Sequence, residues 1–178
     1  MRIADLVTLV RVVLVLLVAY FVLSRFSAAV ILALIVLLFA LDAADGYAAK
    51  KERKTTYGAR LDIAGDRAIE YVFWILYTYI GLLPLYVVFI IVLRNSFADA
   101  FVLAKNRSFA RMKTGLGRIA SSHISRGAYG ALKAITFTYL ALVFVAAWPI
   151  SVGYALVGAT VTYSVIRGVA EVEDALRS

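Results

Sequence analysis

A chain of 178 residues that is 63% hydrophobic, with a mean hydropathy of +0.90, has too little polar surface for a water-soluble domain of its size. It has no cysteine, which excludes a disulfide framework and a thiolate metal site, and its net charge of +8 points to membrane topology and anionic headgroups rather than to nucleic acid. At roughly 20 apolar residues per crossing of a bilayer core about 30 Å thick, the composition predicts an all-α integral membrane protein of six transmembrane helices, a single domain over residues 1–178.

The chain opens on MRIADLVTLVRVVLVLLVAYFVL. Asp5 and Arg11 interrupt the start of this apolar run and no small-residue cleavage site follows. Residues 6–24 therefore read as a retained span behind a short N-terminal amphipathic segment. After the link SRFS a second span extends from Ala28 to Ala48, and KKERKTTY separates it from a third, Gly58 to Leu82. Pro84 opens a fourth span that continues to Lys105. The polar stretch KNRSFARMKTGLGRIASSHISR leads to a fifth over 130–147. Past Trp148 and Pro149, at an interfacial turn, a sixth covers 150–170, with EVEDALRS as a soluble tail. The runs are too long for the strands of a membrane barrel and lack their alternation.

Lys50, Lys51, Arg53 and Lys54 crowd the link after the second span, and Lys105, Arg107, Arg111, Lys113 and Arg118 the link after the fourth. The links after the first, third and fifth hold only Arg25. By the positive-inside rule both termini are cytoplasmic, in a multi-pass protein of the cell membrane.

The stretch Leu41–Glu70, LDAADGYAAKKERKTTYGARLDIAGDRAIE, sets Asp42, Asp45, Asp62 and Asp66 at the ends of segments that otherwise read as spans, on the cytoplasmic side. At 3.6 residues per turn, carboxylates three apart (Asp42, Asp45) and four apart (Asp62, Asp66) share a helix face, so two helices joined by a short loop can aim all four at one point. On insertion scales an Asp near the bilayer centre costs roughly 2.5–3.5 kcal/mol, and four left exposed to lipid would cost about 10 kcal/mol. Pairing with Arg60 and Arg67 could neutralise two of them. A divalent metal is the better fit, because oxygen-only ligands select hard cations such as Mg²⁺, Mn²⁺ or Ca²⁺ over zinc. Four carboxylates suffice for two ions, the arrangement that clamps the attacking and leaving oxygens of a phosphoryl displacement. Gly46 and Gly58 flank the loop where a ligand can approach closely, and Ala48 and Ala49 keep it uncrowded. Lys50, Lys51, Arg53 and Lys54, with Thr55 and Thr56, offer donors for phosphate oxygens, although a basic loop by itself is more simply a topology signal.

Taken together, Asp42, Asp45, Gly46, Ala49, Lys50, Gly58, Asp62 and Asp66 resemble the CDP-alcohol phosphotransferase signature D-x2-D-G-x2-A-R-x8-G-x3-D-x3-D. Seven positions match by type; Lys50 replaces the usual Arg, and the interval from Lys50 to Gly58 is one residue short. The resemblance implies transfer of a phosphatidyl or similar phosphoalcohol group from a CDP-linked lipid to a small polar acceptor alcohol, with release of CMP, in phospholipid biosynthesis. It implies two divalent cations, Mg²⁺ or Mn²⁺, on Asp42, Asp45, Asp62 and Asp66, with Ca²⁺ as a non-productive occupant. It makes Asp66 the base that takes the acceptor proton, and favours direct attack and a homodimer. The CDP portion would meet Gly46, Ala49, Lys50, Gly58 and a threonine of the loop, Thr55 or Thr56. Asp5, Thr8 and Arg11, which resemble the family's N-x-x-T-x-x-R with Asp for Asn, would lie beside the nucleotide.

Basic residues in the later spans suggest where an acceptor phosphate could bind: Arg94 in the fourth, Arg126 and Lys133 opening the fifth, and Arg167 near the end of the sixth. If they converge, the acceptor is phosphorylated, a glycerol or inositol phosphate; otherwise they snorkel to headgroups or pair with Asp99, Glu171 and Glu173, and an unphosphorylated acceptor such as serine is the alternative. The lone His123 reads as solvated, and the aromatic residues as belts and packing. A divalent-cation transporter is the rival from another class. Against it, all four carboxylates lie toward one membrane side and no charged path crosses to the other.

Overall fold

The computed structural model describes residues 3–48, 56–104 and 122–176, with side chains over 5–42, 60–100 and 125–174 and at 58, 122 and 176. Among the described residues the regular elements are six α-helices: α1 Ile3–Leu23, α2 Ala28–Ala48, α3 Thr56–Tyr79, α4 Leu85–Ala104, α5 His123–Ala146 and α6 Ile150–Leu176. Three of them are long and apolar enough to cross a membrane, over Asp5–Leu23, Ser125–Ala146 and Ile150–Asp174. The apolar part of α2 is shorter, Ala28–Asp42, and α3 carries Arg60, Asp62, Asp66, Arg67 and Glu70.

The helix ends have local causes. Past α1, Arg25 adopts a positive φ of 48° and the Phe26 amide donates to the Phe21 carbonyl at 3.0 Å, the six-to-one bond of a left-handed C-terminal cap. Past α3, Gly81 supplies the positive φ (78°) and the Leu82 amide reaches the Tyr77 carbonyl at 2.9 Å. Pro84 then precedes α4, since proline suits the start of a helix and not its interior.

Three expectations need correcting. The amphipathic segment is not separate: α1 runs unbroken from Ile3 because no glycine or proline interrupts it, and Asp5, Thr8 and Arg11 lie within its first turns. The fifth helix starts at His123 rather than near 130, with the Ser122 hydroxyl accepting the Ser125 amide at 3.1 Å. The sixth continues to Leu176, and of the expected soluble tail Glu171 and Asp174 are buried. Hydropathy marks where apolar side chains are, whereas a helix continues as long as its backbone is unobstructed.

Two compact units divide the chain. The first comprises Met1–Leu83 with Phe137–Trp148. In it α1 packs against α2 and α3. Val15, Val18 and Val22 of α1 and Ile31, Ile35 and Leu38 of α2 recur every three or four residues and are buried, while Val13, Leu16, Leu17 and Tyr20 are exposed as in a lipid-facing surface. Phe73, Trp74 and Tyr77 of α3 close around Phe137, whose ring stacks on Phe73 at 4.6 Å and meets Trp74 edge-on at 5.0 Å. The buried Tyr77 hydroxyl donates to the Phe137 carbonyl. The second unit comprises Pro84–Thr136 with Pro149–Ser178. There α4 packs against α6, and Thr136 of α5 and Thr160 of α6, both buried, share a 2.7 Å hydrogen bond.

Candidate active site

In the first unit, three helices bring charge to one place. Asp5, Thr8 and Arg11 recur every three residues along α1 and are all buried. α1 approaches α3 closely at Gly65, where a Cβ atom would overlap the methyl group of Thr8. That contact sets the depth of Arg11 against α3. The Arg11 guanidinium is only 4% exposed, and its Nη2 lies 2.7 Å from Asp42 Oδ1 of α2 and 3.0 Å from Asp66 Oδ1 of α3. A single nitrogen thus ties carboxylates from two helices to a third.

Desolvating a guanidinium costs several kcal/mol in a protein interior, so Arg11 needs its anions. Asp42 and Asp66 keep contact with solvent, at 48% and 46% exposure. Arg11 Nε and Nη1 are buried with no hydrogen-bond partner. As a pairing alternative to a metal the sequence offers Arg60 and Arg67; the guanidinium that bridges Asp42 and Asp66 is that of Arg11, while Arg60 is exposed and Arg67 reaches the buried Glu70 at 3.4 Å.

Among the described residues no three His, Cys, Asp or Glu side chains form a metal-binding group. Asp62 is half-buried on α3, one turn before Asp66, and Gly58 is half-buried one turn before Asp62. Asp45, Gly46 and Thr56 are helical, but their side-chain positions are outside the description, and Ala49, Lys50 and Thr55 lie outside the described residues. The donor set nonetheless fits a hard divalent cation: Asp42 and Asp66 already converge on one cationic atom, and their donors are carboxylate oxygens.

The four basic candidates all belong to the second unit, and two of them meet on one ring. Lys133 Nζ lies 4.7 Å and Arg167 Cζ 5.1 Å from the centroid of Tyr129. Tyr129 stacks on Tyr163 at 5.7 Å, and the Tyr163 hydroxyl shares a 2.9 Å hydrogen bond with the Ser125 hydroxyl. Arg126 follows Ser125 in the first turn of α5. Arg94 is placed differently. Its guanidinium donates to Glu171 Oε2, the Ser164 carbonyl and Asn95 Oδ1, each at 2.9 Å. For Arg94 the pairing alternative is the one the geometry supports. Glu171 also accepts Arg167 at 3.5 Å. Its position, 77 residues along the chain from Arg94, gave no local signal of that pairing. Gly65 did have one, as an isolated glycine inside a helical pattern; the Tyr129–Tyr163 platform did not.

The family model described as CDP-alcohol phosphatidyltransferase matches residues 1–166. No curated protein matches the chain. The match takes in α1 to α5 and most of α6, including Arg11, the four aspartates and three of the four basic candidates. The chain belongs to the CDP-alcohol phosphatidyltransferase family, membrane transferases of substituted phosphate groups that move a phosphatidyl group from a CDP-alcohol to an acceptor alcohol in phospholipid synthesis, generally with divalent cations.

Proposed function

We propose that this protein catalyses phosphatidyl transfer from a CDP-linked lipid to a phosphorylated acceptor such as glycerol phosphate or inositol phosphate, at a site held by two Mg²⁺ or Mn²⁺ ions. The observation that carries this reading is the convergence of Asp42 and Asp66, from two helices, on one cationic position. Asp42, Asp45, Asp62 and Asp66 would hold the ions. When bound, they neutralise charge on the pyrophosphate and on the departing CMP.

The chain's own groups supply the rest. Asp66 accepts the proton of the acceptor hydroxyl. The freed oxygen forms a bond to the lipid-bearing phosphorus, the bond from that phosphorus to the CMP oxygen breaks, and CMP departs with the electron pair. Gly46, Ala49, Lys50, Thr55, Thr56 and Gly58, with Asp5, Thr8 and Arg11, form the surroundings of the CDP portion. For the acceptor phosphate, the reading rests on Lys133 and Arg167 sharing the Tyr129 ring, with Arg126 in the same helix. Arg94 is assigned to the Glu171 pair instead. The same proposal places six spans in the cell membrane, both termini and the site on the cytoplasmic side, in a single functional domain that works as a homodimer.

The test is CMP release by purified protein from CDP-diacylglycerol, with a panel of phosphorylated and unphosphorylated acceptors. Release should need Mg²⁺ or Mn²⁺, be stopped by EDTA, and be lost in Asp66→Asn with the fold retained. Normal turnover in that variant would remove the base assignment. Lys133→Ala and Arg167→Ala should raise KM for a phosphorylated acceptor by roughly tenfold or more, about 1.4 kcal/mol of binding. Equal effects on phosphorylated and unphosphorylated acceptors would remove the phosphate-pocket assignment.

A further inference from the structure

Two buried arginines in this protein are held in contrasting ways. Arg94 has Nε, Nη1 and Nη2 all hydrogen-bonded, its stem seated on Gly168, where an added Cβ would come within 2.8 Å of Arg94 Cγ. It is anchored on every side. Arg11 is more buried, at 4% exposure, yet only Nη2 is engaged, while Nε and Nη1 have no partner. Its two anions are nearly half exposed. The cation sits beneath, and the carboxylates face outward.

From this contrast we infer that Arg11 is a resident counter-cation of the acidic site: in the metal-free enzyme it holds Asp42 and Asp66 together, and it yields both carboxylates to an incoming divalent ion. The inference rests on the proposed metal-dependent reading. Asp42 and Asp66 come from separate helices, and without a cation between them their like charges would push α2 and α3 apart. The Arg11 guanidinium removes that repulsion before any metal arrives. Because it satisfies the same two carboxylates, it also competes for them, and its positive charge disfavours a second cation nearby even after it withdraws. Once released, it presents its donor fork to an anion. The phosphate oxygens of a nucleotide donor match that fork.

The experiment measures Mn²⁺ binding by electron paramagnetic resonance on metal-stripped wild type, Arg11→Gln, Arg11→Lys and Asp42→Asn, alongside thermal unfolding with and without Mg²⁺. Arg11→Gln should bind Mn²⁺ about tenfold more tightly than wild type, a difference of about 1.4 kcal/mol. Without metal it should melt below wild type and recover more than wild type on adding Mg²⁺. Should Arg11→Gln fail to fold, Arg11→Lys carries the test: its side chain is one bond shorter than the path to Nη2, so the ammonium stops short of the position that bridges both carboxylates, and Mn²⁺ should bind more tightly than in wild type by a smaller factor. Unchanged or weaker Mn²⁺ binding in a folded Arg11 variant would overturn the inference, as would unchanged binding in Asp42→Asn. Absence of CMP release by wild type, with Mn²⁺ affinity still governed by Arg11, would strike the proposed reaction and leave the counter-cation standing.

Discussion

Glu171 shows how much one side chain can hold. It is 3% exposed and accepts from both Arg94, at 2.9 Å, and Arg167, at 3.5 Å, so one carboxylate is shared between two cations that the surrounding apolar helices could not solvate. Removing its charge while keeping its shape leaves both guanidinium groups without their common anion. Breaking such a buried pair by removing one partner costs about 3–5 kcal/mol. Glu171→Gln should therefore lower the unfolding free energy in detergent by at least about 3 kcal/mol, read by chemical denaturation. Glu173, two residues further along α6 and half-buried, points about 200° away around the helix and is the control: its Gln variant should cost less.

Gly65 acts at the scale of helix pairs. A methyl group there would collide with Thr8, and the collision would propagate along α1 to Arg11, three residues further on. Gly65→Ala should destabilise the protein by about 1–3 kcal/mol, the usual cost of overpacking. Thr8→Ala in the same chain removes the colliding methyl and should restore most of the loss, measured by thermal unfolding. If the double variant is no more stable than the single one, the close approach of α1 to α3 is not what Gly65 provides. The Thr136–Thr160 bond between α5 and α6 is a smaller contribution. Each hydroxyl also lies 2.8 Å from the carbonyl four residues back, of Leu132 and of Leu156, so the hydroxyl that accepts across the interface donates to its own carbonyl while the other donates across. A double-mutant cycle with Thr136→Val and Thr160→Val should give a coupling near 0.6 kcal/mol, the average for hydrogen bonds between membrane helices.

At the scale of the whole molecule, the proposed topology has a direct test because the chain has no cysteine. Single substitutions introduce the only thiol present. In intact cells a membrane-impermeant maleimide should label Ser24→Cys, in the link after α1, and spare Ser178→Cys until the membrane is opened. Labelling of both from outside would contradict cytoplasmic termini.

The helices, and the spacing that sets the acidic residues of each on one face, are legible in the sequence. Periodic apolar positions such as Val15, Val18 and Val22 specify a buried stripe, and the three- and four-residue intervals of the aspartates place them on common faces. These are local properties, set by a repeat of 3.6 residues. Helix ends were less legible where polar residues continue a helix, as at Ser125 and Glu171, because hydropathy follows side-chain chemistry rather than backbone bonding. Which charges meet is a property of how the helices pack. Arg11 and Asp66 stand 55 residues apart, and Arg94 and Glu171 stand 77 apart. In a helical bundle the partner of a buried charge is chosen by which helices pack and how closely, and here a missing side chain at Gly65 helps set that distance.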